Sequence, residues 1–228
     1  MKDRIITILF CVALVLLVIT LSIGLPIYCR FFYYIQINTL NLVQETGGKY
    51  NYAQIKAAYD EVLNYLTLPW CEFGTGEMAH SESGAAHFAD CKKLFNLNLI
   101  IMLCSAAVVA GVLIAKKFKK IKLTTFFNRG ATFWSGVSVF ALIFIIAILV
   151  LTVDFNKAFK IFHTIFFPGK TNWVFNPRTD EIILVMPQRF FMNCAIFIAV
   201  GIFTFSSALI AADFLIPYVK KRRAKTAN

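Results

Sequence analysis

The stretch DFNKAFKIFHTIFFPGKTNWVFNPRTDEIILVMPQRFF, residues 154–191, joins two apolar runs each long enough to cross a bilayer. It nevertheless carries His163, Asp154, Asp180, Glu181, Trp173 and three prolines among a dense set of phenylalanines. A plain connector between membrane spans needs none of that chemistry. Phe155, Phe159, Phe162 and Phe166 recur at helical spacing, which predicts a helix over 154–167 with one aromatic face turned to lipid or under another element. His163 falls one position round from that stripe, with Phe159 at i−4 and Phe166 at i+3, at the edge between apolar and wet. Pro168-Gly169 then ends the helix.

The runs joined by this stretch belong to a set of four, at about 5–28, 97–115, 133–153 and 191–212, each reaching the roughly 18–20 residues that span hydrocarbon. In a chain of 228 residues with 59% hydrophobic and 15% charged content, they predict one integral membrane domain over 1–228. An open strand would leave backbone groups unpaired in lipid, so each run is read as a helix. The expected fold is an all-α membrane protein, four transmembrane helices under an extracytoplasmic cap of short amphipathic helices and loops. The first run is longer than a signal-peptide core and no small-x-small site follows it, so it is read as retained.

Cations set the orientation. Lys2 and Arg4, the loop with Lys116, Lys117, Lys119, Lys120, Lys122 and Arg129, and the tail with Lys220, Lys221, Arg222, Arg223 and Lys225 alternate correctly for one side. The other two loops, 29–96 and 154–190, balance their cations against acids, so the formal excess of +11 sits on the side that also holds both termini. By the positive-inside rule that side is the cytoplasm, in a bacterial cell membrane, and the two neutral loops face out. These cations flank spans and no basic face carries interleaved aromatics, which argues against a nucleic-acid partner.

The first outside loop, 29–96, is large enough for a small cap and too small for an independent core. Residues 30–34 are aromatic and suit the headgroup layer. Gly47-Gly48 breaks the chain, and Asn51 with Gln54 has the pattern of a capping box. Behind it Tyr52, Ile55, Tyr59, Val62, Leu63 and Leu66 share one face of an amphipathic helix, which would lie on the membrane surface or over the mouth of the bundle. A turn-rich stretch with Gly74, Gly76 and Gly84 leads into a second helix, on which His87, Asp90 and Cys91 share a face. Six cysteines give no pairing pattern, and whether Cys71 joins Cys91 stays open.

All three histidines, His80, His87 and His163, fall in the outside loops. His87 and His163 each lie about ten residues from a span end, within ~15 Å of the outer lipid edge if helical, and so could meet across the mouth. Histidine exchanges protons near neutral pH, and Asp90, Glu82 and Asp154 lie in the same layer to orient it. The plainer reading makes each histidine an interfacial side chain satisfied by a backbone carbonyl. A metal site is a third: Glu77, His80, His87 and His163 supply ligand types, but HExxH and CxxC spacings are missing. Neither a resident metal nor any other cofactor is expected. The non-enzymatic alternative is a membrane protein whose aromatic cap binds a lipid or peptide partner.

The spaced pattern D-F-x6-F-H-x2-F-F-P-G-x3-W-x-F-N-P-x-T-D-x-I-I-x2-M-P-x2-F-F, from Asp154 to Phe191, resembles the hallmark loop of the bacterial lipoprotein intramolecular transacylase family, Lit. The first loop is similar too, in Asn64-Tyr65-Leu66, Ser81-Glu82 and His87-Phe88-x-Asp90-x-Lys92. It departs at Ser83-Gly84 and at Cys91, where an aliphatic is usual. The resemblance implies a membrane acyltransferase that moves the sn-2 acyl chain of a diacylglyceryl lipoprotein to the α-amino group of its N-terminal Cys, giving the lyso form. It carries the two functional histidines over to His87 and His163. Its partners are diacylglyceryl-modified lipoproteins and membrane lipid, with the enzyme expected as a monomer. Physically, one histidine would serve as base and then acid while the other holds the oxyanion, with His163 favoured as base and Asp90 placed to orient His87. Phe159, Phe166 and Trp173 would hold acyl chains and keep water from the ester.

Overall fold

The computed structural model describes residues 1–151 and 154–226, with side chains described outside 145–151, 220–221 and 223–226. Among the described residues the regular elements are helices: α1 (Lys2–Tyr28), α2 (Arg30–Thr39), α3 (Leu42–Glu45), α4 (Tyr52–Thr67), α5 (Glu82–Lys117), α6 (Ala131–Leu151), α7 (Phe155–Phe166), α8 (Ile182–Val185) and α9 (Gln188–Thr226). By length and composition Lys2–Tyr28, Glu82–Lys117 and Gln188–Val219 can each cross a membrane, and Ala131–Phe144 is a shorter apolar helix. The expected span at 133–153 follows α6 to residue 151; residues 152 and 153 lie outside the described residues.

The chain divides into two compact units. The first, Met1–Ile23, Leu99–Leu149 and Ile198–Asn228, holds the most apolar helical stretches. Its packing follows membrane rules, in which small residues let backbones approach. A Cβ at Gly136 would stand 2.7 Å from Ile210 Cγ1 and 2.8 Å from the Ser206 carbonyl, so only glycine fits where α6 crosses α9. Phe10 and Leu14 of α1 pack on Ala131, with Val109, Val112 and Leu209 around them. Asp213 ties the start of α6 by accepting Gly130 N at 2.9 Å and pairing with Arg129 at 3.7 Å.

The second unit, Gly24–Asn98 and Val150–Phe197, is built around Tyr33, which is fully buried. Its ring stacks on Tyr59 of α4 at 3.6 Å, meets Phe190 edge-on at 5.3 Å, and its hydroxyl donates to the Val185 carbonyl at 2.8 Å. One phenol therefore fastens α2 to α4, α8 and the start of α9, with its polar tip satisfied inside an apolar core. Asn51 and Gln54 form the capping box expected for α4. The apolar face of α4 is spent on protein rather than on a membrane surface: Ile55, Tyr59, Val62, Leu63 and Leu66 are all buried. Tyr52 alone of that expected set is exposed. On the other side Asp60 collects Arg30 at 3.0 Å, Tyr34 at 2.7 Å and Lys56 at 2.7 Å.

Candidate active site

Two helices of the second unit deliver the histidines. α5 begins where Ser81 Oγ accepts the Gly84 amide at 3.0 Å, an N-cap, and His87 follows one turn later. At 36 residues this helix is about 54 Å long, well beyond an ~30 Å hydrocarbon layer, so its charged first turns, with Glu82, Asp90, Lys92 and Lys93, precede the apolar run that starts near Leu97. α7 begins at Asp154, whose carboxylate accepts Lys157 N at 2.9 Å, and it places His163 one turn before its end.

The two imidazole rings meet with centroids 5.8 Å apart and planes tilted by 32°. Both are buried, at 5% exposure for His87 and 7% for His163. Aromatic rings wall them in. Phe167 lies 4.9 Å from the His87 ring and 5.7 Å from the His163 ring, Phe159 and Trp173 stand 4.2 and 4.7 Å from His163, and Phe175 is 5.5 Å from His87. Burial, and then the neighbouring His163, push the His87 pKa down to about 4. Burial also lowers His163, against the carbonyl of Phe159, which favours the charged ring. Desolvation disfavours imidazolium, so the pair is neutral at pH 7 and keeps its proton-accepting capacity.

Each ring uses one nitrogen and leaves one. His163 Nδ1 lies 2.7 Å from the Phe159 carbonyl. A carbonyl only accepts, so Nδ1 carries the proton and Nε2 presents a lone pair. His87 Nε2 lies 3.4 Å from Cys91 Sγ, while its Nδ1 is buried with no hydrogen-bond partner among the described residues. Cys91 is held as the thiol, its pKa pushed by burial up to about 12. A buried imidazole nitrogen with no protein partner, beside a second neutral imidazole, marks a candidate site for polar chemistry.

The sequence pattern of the family described as lipoprotein intramolecular transacylase Lit matches residues 8–191. The chain belongs to the lipoprotein intramolecular transacylase family. Among solved structures it is similar to the membrane integral lipoprotein intramolecular transacylase Lit of Bacillus cereus, in meso, at 27% identity and a TM-score of 0.80, with 98% of each chain covered. A variant of that protein with a histidine replaced by arginine matches at 26% identity and 0.77, covering 98% of this chain and 95% of that one. A curated relative, an uncharacterized protein of Aquifex aeolicus (strain VF5), is 24% identical over 141 residues. That match spans 61% of this chain and 59% of the relative's length. Likeness to membrane-integral proteins over nearly the whole length, with helices long enough to span, makes this Lit-family chain an all-helical membrane protein.

Of the other residues singled out in sequence, Phe159 and Trp173 stand against His163, and Phe166 lines a cavity of about 200 Å³ beside the pair. The acids are placed differently from expectation. Asp90 makes no hydrogen bond to His87: its carboxylate accepts from Lys93 at 3.0 Å and, closely, from Lys170, and the two lysines hold its pKa near 2. Side chains at i and i+3 share a helix face, but the loop after α7 offers Asp90 an ammonium, a stronger partner than a neutral imidazole. Glu82 is exposed in the first turn of α5, and Asp154 is exposed and spent on capping α7. His80 lies apart from the pair, with Nδ1 3.0 Å from Thr75 Oγ1 and its ring edge-on to Phe73. Glu77 engages Gln54, so the four suggested metal-ligand types do not gather, and both Cys71 and Cys91 are free thiols.

Four contributors escaped the sequence reading: Phe167, Phe175, Lys170 and Asp180. Asp180 grips the start of α5, accepting Ser81 N at 2.9 Å and Ser81 Oγ at 2.8 and 3.0 Å, with Thr179 adding a bond at 2.8 Å. Beside it Glu181 accepts from Lys49, Tyr50 and the Ala79 amide. The paired acids in Thr179-Asp180-Glu181 were the available signal, because adjacent carboxylates in an apolar loop need donors from elsewhere in the chain.

Proposed function

We propose that this enzyme transfers the sn-2 acyl chain of a diacylglyceryl lipoprotein to the α-amino group of the same molecule's N-terminal Cys. The observation that carries the reading is the complementary pair of free nitrogens, an acceptor at His163 Nε2 and an unpartnered Nδ1 on His87. His163 takes a proton from the amine as its nitrogen attacks the ester carbonyl. With the Cys91 thiol donating a hydrogen bond to His87 Nε2, the His87 proton sits on Nδ1, where it donates to the tetrahedral oxyanion. As the carbon–oxygen bond to glycerol breaks, His163 returns the proton to the departing alkoxide. An ester becomes an amide and a glycerol hydroxyl, with no net proton change.

Donor and acceptor sit on one molecule, so the site chiefly holds a folded substrate and excludes water. Phe159, Phe166, Phe167 and Trp173 supply that apolar lining. In this reading residues 1–228 form one membrane domain with four spans and an extracytoplasmic cap, both termini cytoplasmic, working as a monomer in the cell membrane on lipoproteins delivered through lipid. The exposed Ile161, Phe162, Ile165 and Phe166 of α7 suit a lipid-facing entrance directly outside His163. The test is mass spectrometry of a diacylglyceryl lipopeptide incubated with the purified enzyme. The total mass stays constant, but fragmentation at the Cys thioether now leaves one acyl chain on the N-terminal amine where the substrate loses both chains with the glyceryl group, and a fragment pattern left unaltered rejects the reading.

A further inference from the structure

The amine that must attack arrives as a cation. An α-amino group has a pKa of about 7.7–8.0, so near pH 7 roughly nine-tenths of it is ammonium, and desolvating an ammonium in an enclosure of neutral rings is costly unless an anion lies beside it. Most acids near the pair are already committed or turned away. Asp180 is saturated by Ser81 and Thr179, Glu181 by Lys49, Tyr50 and the Ala79 amide, Asp154 caps α7, and Glu82 is exposed. Asp90 remains.

Asp90 is 9% exposed and lines a cavity of about 200 Å³ together with Leu94, Phe166, Phe167 and Pro168. Phe167 also contacts both histidine rings, so this cavity opens beside the pair. Asp90 is near enough to His87 for its charge, and that of Lys170, to act on the imidazole. Its present partners are the ammonium groups of Lys93, 77% exposed, and Lys170, 46% exposed. Both are long, mobile stems on solvent-facing positions, and Lys170 follows Pro168-Gly169, where Gly169 holds the left-handed φ of +72° that completes the turn.

We propose that the Asp90 carboxylate is the subsite for the substrate's α-ammonium, and that Lys170 occupies it in the free enzyme as a stand-in which the substrate displaces. The exchange puts one ammonium in place of another. Asp90 therefore stays paired throughout and bears no new desolvation, while Lys170 swings into water. The bound ammonium then lies next to the histidines: one proton leaves it for solvent by way of His163, and the neutral amine that remains attacks as above, so each ammonium consumed releases one proton. The proposal rests on the acyl-transfer reading for the identity of the ligand.

The probe is a lipopeptide with two ether-linked chains, which offers no ester to transfer, compared with its N-acetylated counterpart; binding is measured by fluorescence anisotropy in micelles at pH 7. The native enzyme is expected to favour the free amine roughly tenfold to a hundredfold, the range for a hydrogen bond to a charged group. Asp90→Asn should abolish that preference by weakening the free-amine ligand alone, and Lys170→Ala should widen it several-fold by removing the competitor. A native enzyme indifferent to acetylation, an Asp90→Asn protein that still discriminates, or a Lys170→Ala protein whose preference is unchanged or reduced overturns the subsite. Should Asp90→Asn fail to fold, Lys170→Ala at its exposed position decides alone. The ester-linked lipopeptide is assayed for turnover in parallel: no conversion by a native enzyme that distinguishes the free amine from its acetylated counterpart removes the acyl-transfer reading and leaves the ammonium subsite standing.

Discussion

Replacing Gly84 by alanine sets helix propensity against packing, and the two give opposite signs. Gly84 lies in the first turn of α5, where an alanine is worth about 1 kcal/mol over glycine. A Cβ at this position, however, would overlap Asp180 Oδ1 and stand 3.1 Å from both Asp180 Cγ and Phe175 Cε1. Asp180 cannot yield cheaply. Its two oxygens are fixed by Ser81 and Thr179, and its amide is bonded to the Asn176 carbonyl at 2.8 Å. Overpacking costs about 1–3 kcal/mol, and losing one hydrogen bond to the carboxylate adds about 1.5–3 kcal/mol. Set against the propensity gain, Gly84→Ala should destabilise by about 3 kcal/mol, or about 6–12 °C in Tm for a chain of this length. Displaced Phe175 would also shift His87 and slow acyl transfer by roughly tenfold to a hundredfold. Thermal unfolding in detergent, followed by tryptophan fluorescence, measures the first effect. In an Asp180→Ala background the overlap with the carboxylate is gone and only the 3.1 Å approach to Phe175 is left, so there Gly84→Ala should cost far less. A higher Tm for the single variant would show that Asp180 does not hold the start of α5.

His87→Ala and His163→Ala should each lower turnover of a diacyl lipopeptide by roughly 10² to 10⁴, the double variant little further, and His80→Ala hardly at all; additive losses would mean that the two rings do not act as a unit. Stability should fall on acidification from about pH 6.5 towards pH 4, because the unfolded chain binds a proton on His87 near 6.5 and the folded chain only near 4. The loss from His87 is on the order of 3 kcal/mol, His163 adds in the same direction, and the carboxylates of Asp90 and Glu181 contribute only below about pH 4.5, where they begin to protonate in the unfolded chain. Denaturation in detergent across pH 4.5–7 checks this, with His87→Gln expected to flatten the profile. Single cysteines introduced into a chain whose native cysteines have been removed report the topology: one at Thr171 should react with an impermeant reagent applied from outside and one at Lys119 should not, and the reverse pattern would invert the orientation.

Periodicity made the helices legible. The Phe spacing in residues 154–167 and the Asn51–Gln54 pair correspond to α7 and to the capping box of α4, because both signals are local and need no tertiary partner. The meeting of His87 and His163 was legible in part, from matching distance to the span ends. Partner choice among charged groups was not. Asp90 and His87 share a helix face, and sequence spacing alone pairs them. Lys170, eighty positions away, takes the carboxylate instead, and nothing local announces it. The same holds for Phe167, which closes α7 rather than extending its aromatic stripe. Its backbone, at φ −129° and ψ 59°, has left the helix, and that departure turns the ring against both histidines while Phe166, still in register, stays exposed.

In the proposed mechanism, the division of labour between residues 29–96 and 154–190 follows from those partners. A base must keep a lone pair and an oxyanion donor must keep a proton, so two chemically identical rings have to be given opposite tautomers. The backbone does this for His163, since the Phe159 carbonyl sits one helical turn back and can only accept. For His87 the same helical geometry offers the side chain four residues on, Cys91, whose protonated thiol lies 3.4 Å from Nε2 and, as donor, would leave the ring proton on Nδ1. An aliphatic residue at Cys91 would leave His87 free in either tautomer, and the proton would then follow the substrate's oxygen rather than wait for it. The thiol therefore adds preorganisation, not chemistry. Its loss should lower the transfer rate modestly, while loss of either ring removes a step.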